Sequence, residues 1–241
     1  MITIDFNRLS KSDPNHLAGC RILDIGCGTG RHTCAAYRIP KVMAMGVDIN
    51  LDGVVETKKR LNTHNEIGDH GDGKYGVSVT DIYALPFRDN SFDLVICSEV
   101  LEHIQDHKTA VSEAVRVLKP GKTLAVSVPR YLPERICWAL SDNYHTARNG
   151  HVRIYKKKAL VDLLESAGLT RWGFHFAHSL HVPYWWLKCL VGPEREDCRP
   201  VNAYHRLLVW DMMKKPWITQ FFDKMLNPIL GKSMVLYMKK E

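Results

Sequence analysis

The chain reads as a doubly wound α/β fold around a largely parallel sheet, and three observations predict it. Apolar, strand-like runs alternate with helix-like segments over most of the sequence. A glycine-rich turn, "GCGTG" at residues 26–30, follows the first run directly. Acids, Asp48 and Asp81, stand at the ends of the next two runs, where ligands of such sheets are met.

In order, "CRILDIG" is a buried strand, and a helix follows from about Gly30 to Tyr37. "VMAMGVDI" is the second strand and "LDGVVETKKRLNTHN" the helix after it. "EIGDHGDGKYG" is rich in glycine and acid and predicts an exposed loop. "VSVTDI" is the third strand and "FDLVICSEV" the fourth. "TAVSEAVRVL" has apolar residues at helical spacing. "KPGK" predicts a turn, "TLAVSVP" the fifth strand, and "KKALVDLLESAG" a helix closed by Gly168. "TRWGFHFAHSL" is the sixth strand. The alternation then breaks: residues 182–231 predict a helical insertion, with "SMVLYMKK" a last strand beyond it. One domain spans 1–241, the insertion forming a lid.

The bulk numbers bound the function. The 241 residues carry 45% hydrophobic and 24% charged residues, ordinary globular values. A formal charge of +7 permits an anionic partner without specifying one. The one basic run, Lys156 to Lys158, reads as a solvated helix start. Seven cysteines, an odd number with no C-x-x-C pair, point to reduced thiols. The opening "MITIDFNRLS" has an early acid and no apolar core, and no apolar stretch reaches the roughly 20 residues of a membrane span. A cytoplasmic location is the expectation.

The glycine turn narrows the ligand. Dinucleotides favour G-x-G-x-x-G, with pyrophosphate at the helix N-terminus. Here Gly26, Gly28 and Gly30 are spaced G-x-G-x-G, and Asp24 precedes them. A carboxylate is unfavourable beside pyrophosphate and favourable beside an ammonium. S-adenosylmethionine carries an ammonium and a sulfonium and no phosphate. The N–H groups of the loop, Cys27 included, can meet its carboxylate. Asp48, 18 residues after Gly30, can accept both ribose hydroxyls, and Ile49 can pack on the adenine. Asp81 and Ile82 can read the adenine amino group and flank the ring. Each aspartate alone could simply cap the segment that follows it; together, after this loop, they mark a cofactor site.

The stretches "ILDIGCGTGRHT", "GVDIN", "DIYALPFRDNSFDLVICSEVLEHI" and "EAVRVLKPGKTLAVSVP" resemble the class I S-adenosylmethionine-dependent methyltransferases, specifically the methyltransferase type 11 group. The resemblance covers residues 21–129. "SDNYHTARNGHVRIYKKKALVDLLESAGL" and the tail look like a bacterial subgroup of unassigned substrate. The resemblance implies a Rossmann-like seven-stranded mixed sheet of order 3-2-1-4-5-7-6, with strand 7 antiparallel, and places Ser98 and Glu99 against the cofactor. Lys122 stands where the family often has a second glycine, a detail of the turn.

Methyl transfer is an in-line displacement from a positively charged sulfur. Alignment of the nucleophile can supply about 7–11 kcal/mol, and a base is needed only if the nucleophile must lose a proton. His103 lies near the methyl group by construction, as a base or as a residue that orients its loop. "PRYLPERICWALSDNYHTARNGHVRIY" reads as a long functional loop. It supplies Tyr144, His145, His151, Arg153 and Tyr155 as candidate contacts, with Tyr144 also a catalytic candidate and His145 the preferred base or else a surface histidine of the lid. His175, His178 and His181 are three apart, but on a strand His178 faces away from the other two. No metal ligand is assigned, and His178 and His181 are read as substrate contacts. Tyr184 and Trp185, in "PYWWLKC", line an apolar pocket, pack inside the insertion, or touch a membrane. The function that follows is methylation of a small or lipid-like molecule. A tRNA-modifying methyltransferase and a non-catalytic cofactor-binding subunit are the rivals. No RNA-binding domain is recognisable, so nucleic acid is set aside.

Overall fold

The computed structural model describes residues 2–9, 17–146 and 150–241, and only the backbone of His145 and Thr146. After a short α1 (Phe6–Leu9), the chain runs β1 (Arg21–Ile25), α2 (Arg31–Tyr37), β2 (Met43–Asp48), α3 (Leu51–Glu66) and β3 (Lys74–Val79). It continues through β4 (Phe92–Ser98), α4 (His107–Val117), β5 (Leu118–Pro129), α5 (Tyr131–Leu140), α6 (Asp142–Thr146), α7 (Lys157–Glu165) and β6 (Leu169–Ala177). Three helices follow, α8 (His181–Val191), α9 (Arg199–Lys214) and α10 (Trp217–Leu230), before β7 (Ser233–Lys240).

The strands form one sheet in the order β3-β2-β1-β4-β5-β7-β6. The pairings among β3, β2, β1, β4 and β5 are parallel, and β7 is antiparallel to both β5 and β6. The expected order and the odd strand are both present. Successive side chains of each strand supply opposite faces. On β7, Met234, Leu236 and Met238 join the core under α4 and α7, whereas Val235 and Tyr237 join the core under α2 and α3. Strand order reverses between β1 and β4, and their carboxyl ends open a crevice there.

Local chemistry sets the boundaries. Asn50 caps α3 by accepting from the N–H groups of Asp52 (2.8 Å) and Gly53 (3.3 Å). Asp106 caps α4 by accepting from the N–H of Thr109 at 3.1 Å. Gly168, at φ 82°, ends the turn after α7.

Four boundaries differ from the sequence reading. The stretch taken as one long loop, 129–155, holds α5 and α6. "KPGK" lies within β5, which takes Gly121 at φ 74° and a register shift against β4 between Phe92 and Leu94. β3 starts at Lys74, inside the expected loop. β6 stops at Ala177, His178 turns to φ 67°, and His181 begins α8. Pairing with β7 also stops at Ala177.

The three helices between β6 and β7 sit on the sheet unevenly. Trp186 of α8 donates from Nε1 to the carbonyl of Pro133 in α5 at 3.1 Å. Ser179, just past β6, donates from Oγ to Asp223 Oδ1 of α10 at 2.8 Å, and its N–H reaches Asn227 Oδ1 at 2.9 Å. No residue of α10 is buried, and Trp217, Phe221, Met225 and Ile229, four apart, are all exposed.

Leu236 is fully buried on β7. Leu236→Ala is expected to cost about 2–5 kcal/mol in urea unfolding. Trp217→Ala is expected to change stability by less than about 0.5 kcal/mol, despite removing a larger side chain. Equal losses for the two would show that α10 is packed.

Candidate active site

The crevice holds a cavity of about 580 Å³, within the range of small-molecule sites. Four strand ends build it. From the turn after β1 come Gly26, Cys27, Gly28, Thr29 and Arg31; from β2, Asp48 and Ile49; from the end of β3, Asp81, Ile82 and Tyr83; from β4, Ser98, Glu99, Val100, His103 and Ile104.

The turn after β1 can approach this closely because it lacks side chains. Gly26 is at φ 69°, and a Cβ there would lie 2.2 Å from Cγ2 of Val100. Gly30, at φ 82°, would put one 2.8 Å from Thr57 Cγ2. The N–H groups of Gly26 and Cys27 both reach the carbonyl of Val47, at 2.8 and 3.0 Å, which ties the turn to β2. Asp48 then accepts from the N–H of Gly28 on Oδ2 and from the N–H of Asn50 on Oδ1, both at 2.8 Å. A carboxylate has about four acceptor positions, so two remain for a pair of vicinal hydroxyls. Ile49, 73% exposed, offers an apolar face beside it. Asp81 both caps, accepting from the N–H of Tyr83 at 2.9 Å, and lines the cavity, so its two sequence readings coexist.

At the end of β4 the backbone is unusual. Glu99 adopts φ 57°, uncommon for a residue with a side chain. It is held by its N–H to the carbonyl of Ser127 (2.9 Å) and by Ser127 Oγ donating to Oε1 (3.0 Å), with Ser98 Oγ 2.7 Å from Ser127 Oγ. Strain at such a position is a mark of functional sites.

Asp24 departs from its expected role. It is buried and does not line the cavity; its Oδ2 accepts from Thr33 of α2, from N–H at 3.0 Å and from Oγ1 at 2.6 Å. Burial raises its pKa to about 6, opposed by the two Thr33 hydrogen bonds. Its anion therefore sits behind the glycine turn, where it orients α2 and adds negative potential. Burial also pushes the Cys27 thiol up to about 12, so it serves as wall and not as nucleophile.

Next to His103, at the rim of the cavity, stands a second group of polar side chains. The rings of His103 and His151 stand 4.9 Å apart, edge to face. His151 Nδ1 is 2.5 Å from Oε1 of Glu134, a buried residue of α5. Tyr144 donates from its hydroxyl to Glu134 Oε2 at 3.4 Å, and its ring lies 6.4 Å from His151 and 5.9 Å from Trp185. Glu102 is fully buried beneath them, its pKa raised by burial first and by Glu99 second. A row of rings thus leads from the cavity to α8: His103, His151, Tyr144, Trp185.

Several sequence candidates fall elsewhere. Arg153 is spent on the turn after β4, donating to the carbonyls of Leu101 (3.2 Å), Ile104 and Gln105 (2.7 Å). Tyr155 is buried, with its hydroxyl 2.5 Å from His107 Nδ1. Both were read as substrate contacts; they hold the fold under the site. Tyr144 was read as catalytic, but burial and Glu134 raise its pKa, which leaves it protonated at neutral pH. His178 and His181 line a separate cavity with Thr3 and Asp5, and His178 Nε2 is 3.2 Å from Thr3 Oγ1. Burial keeps His181 at a pKa of about 4 and His178 well below its usual value, so both are neutral there. Tyr184 lies between Trp185, edge to face, and His205, tilted, its ring 5.6 and 5.8 Å from theirs. The side chain of His145, the preferred base, lies outside the described residues.

Glu102 and Glu134 were missed. Glu102 had a signal, the spacing Glu99-x-x-Glu102 with His103 adjacent. Glu134 sits in α5, whose apolar residues Leu132, Ile136 and Leu140 are four apart. The polar run after Leu140 masked that period.

Residues 23–126 match the model of a methyltransferase domain. An O-methyltransferase from Aspergillus sclerotiorum is 32% identical over 120 residues, covering 50% of this chain and 42% of that protein. The 27-O-demethylrifamycin SV methyltransferase of Amycolatopsis mediterranei is 35% identical over 111 residues, covering 45% of this chain and 38% of that protein. The matched region is thus less than half the length of these curated relatives. An arsenic(III) S-adenosylmethionine methyltransferase from Chlamydomonas reinhardtii shares the fold, with a TM-score of 0.58 and 18% identity over 94% of this chain and 65% of that one. Residues 23–126 are thus similar to a methyltransferase domain, and the neighbour that shares the fold is an S-adenosylmethionine methyltransferase. The relatives come from fungi as well as bacteria.

Asp24 supplies a pH prediction. Its folded pKa lies above the usual 3.8, so the stability of its protonated form is complete below about pH 4 and is lost as pH rises through about 6. Asp24→Asn removes that dependence. Relative to the variant, the wild type is expected to lose on the order of 3 kcal/mol between pH 4 and 7, read from urea midpoints. A pH-independent difference would show that Asp24 titrates normally.

Proposed function

We propose that the protein transfers the methyl group of S-adenosylmethionine to a small or lipid-like acceptor held between His103 and α8. The observation that carries this reading is the row of rings leading from His103, on the cavity wall, to Trp185 of α8. Ligand and acceptor roles then divide by element. The loop after β1, Asp48, Ile49, Asp81, Ile82, Ser98 and Glu99 hold the cofactor. Its sulfonium end points toward Glu99 and His103. The acceptor's nucleophilic atom forms the new bond to the methyl carbon as the carbon–sulfur bond breaks, and sulfur keeps the electron pair. Residues 182–231 act as the lid over the acceptor, Trp185 forming its inner wall. The curated relatives named above are O-methyltransferases in one case and act on a rifamycin in the other, which supports an oxygen atom on an apolar molecule as the acceptor. The resemblance of residues 141–169 and the tail to a bacterial subgroup of unassigned substrate leaves the acceptor itself open to the assay below.

Calorimetry with S-adenosylhomocysteine and NAD tests the cofactor. Binding of the first alone is expected, and Asp48→Ala is expected to weaken it by about 1.5–3 kcal/mol. Transfer of labelled methyl groups to extracted metabolites, to lipids and to tRNA then tests the acceptor. Label is expected in an organic-soluble product, and Trp185→Ala is expected to lose transfer while keeping cofactor affinity. Label in tRNA, or cofactor binding with no transfer to any fraction, sinks the small-molecule reading.

A lipid-like acceptor also accounts for α10. No helix of the described residues is long and apolar enough to cross a membrane. The exposed row Trp217, Phe221, Met225 and Ile229 has Lys214, Lys215 and Lys224 near it, the composition of a helix that lies on an anionic lipid surface. The location proposed is the cytoplasm, with contact to a membrane through this face; all seven cysteines are free of disulfides. Flotation with vesicles containing phosphatidylglycerol is expected to carry the wild type and to leave Trp217→Ala/Phe221→Ala behind. Equal flotation of both removes the lipid role of α10.

A further inference from the structure

We propose that Glu102, His103 and His151 bind one first-row divalent metal ion at the acceptor side of the cofactor cavity. The three residues each present a donor atom, and these atoms lie within 4.8 Å of one another. Ligands about 2.1 Å from a common ion stand roughly 3–4 Å apart. Side-chain closure by about an ångström therefore completes the set. These are not the three histidines that the sequence spacing first offered.

Three independent features point to a cation. Both carboxylate oxygens of Glu102 are buried without a hydrogen-bond partner, and the residue is 0% exposed. A buried carboxylate with nothing to hold is costly unless a positive ligand meets it. His151 spends Nδ1 on Glu134 Oε1 at 2.5 Å, and His103 has Nδ1 3.3 Å from the carbonyl of Gly150. Both rings are thereby oriented with Nε2 left over. A second hydrogen bond of this kind, from the far nitrogen to a carboxylate or carbonyl, is the usual support of a metal-bound histidine. Lastly, the turn that bears Glu102 and His103 is fastened at several points to the segment that bears His151. Val152 donates its N–H to the carbonyl of Glu102 at 2.9 Å, and Arg153 clamps the carbonyls of Leu101 and Gln105 on either side.

The donor set selects the ion. Two imidazoles and one carboxylate suit Mn²⁺, Fe²⁺, Co²⁺ or Zn²⁺, whereas Mg²⁺ and Ca²⁺ favour oxygen ligands. Three protein ligands leave positions open, the arrangement of a catalytic and not a structural site. His103 lines the cofactor cavity, so the open positions face the methyl group. This role rests on the methyl-transfer reading; the binding itself does not. An acceptor hydroxyl coordinated there becomes more acidic and gives its proton to water. The oxygen lone pair then forms the bond to the methyl carbon, and the carbon–sulfur pair stays on sulfur. No oxidant or reductant enters.

The test uses untagged, full-length protein treated with chelator and then titrated with Co²⁺, followed by calorimetry and by visible d–d absorption. One equivalent is expected, with a band that reports nitrogen and oxygen ligation. Glu102→Gln and His151→Gln are expected to weaken binding at least tenfold, and Glu134→Gln by a smaller factor. His178→Gln, in the other cavity, is expected to bind as the wild type does. Circular dichroism checks each fold. Should Glu102→Gln not fold, His103→Gln replaces it, since that side chain is exposed. Absence of saturable Co²⁺ binding, or unchanged affinity in folded ligand variants, overturns the site. S-adenosylhomocysteine binding is measured on the same samples: its loss from wild-type protein counts against the methyltransferase reading alone, and its retention without Co²⁺ binding counts against the metal alone.

Discussion

The architecture hangs on a backbone contact that no side chain could survive. Gly26 passes so near Val100 that a single added carbon would overlap it. That approach lets the turn after β1 lie across the ends of β2 and β4 at once. From it follow the hydrogen bonds of Gly26 and Cys27 to Val47, the reach of Gly28 to Asp48, and the placing of Glu99 opposite both. A bulkier turn would separate the walls of the cavity before any ligand-binding residue had been changed. Glycine costs chain entropy on folding, about 0.5–1 kcal/mol relative to alanine in regular structure. Here that cost is offset by a turn whose N–H groups fasten it to β2, closing one wall of the cavity.

A second constraint gathers the acceptor side. Glu102 and His103 leave β4, Glu134 sits in α5, and His151 follows α6. Nothing local brings these together. Arg153 does so by saturating carbonyls of the turn after β4, which fixes the segment carrying His151 against the one carrying His103. Trp186 does the same for α8 and α5 through Pro133. The chemistry of the site is thus as dependent on a half-buried guanidinium and an indole N–H as on the groups that would face the substrate.

This division explains what could be read from the sequence. The cofactor half is built from residues adjacent to strand ends, and strand ends are marked by apolar runs meeting glycine or aspartate. Gly28, Asp48 and Asp81 were legible as cavity wall for that reason, and Glu99 through the resemblance alone. The group of polar side chains beside His103 is assembled across about 50 residues of chain by tertiary contacts, which leave no periodic trace. Arg153 and Tyr155 looked like substrate contacts because polar groups in a long connection suggest function, whereas Tyr155 is buried and Arg153 is spent on carbonyls of the turn after β4. Asp24 was assigned the right neighbourhood and the wrong partner: charge logic located it, and the competition from Thr33, nine residues away on α2, could not be seen without coordinates. α5 escaped because its ends are uncapped by side chains and the residues after it are polar.

The place of β7 in the sheet has a consequence for how the molecule assembles. It is the last strand in the chain, yet it lies between β5 and β6 and pairs with both. During synthesis β5 has no partner on that side, and β6 has none at all, until residues 233–240 emerge. Two open edges must therefore wait through the making of three helices, and open edges recruit foreign strands. Closing the sheet joins segments more than a hundred residues apart, which slows folding. α8 to α10 cover this interval in time as well as in space. The helices that would roof the substrate in the finished protein are, in the nascent one, what stands between the unpaired strands and other chains.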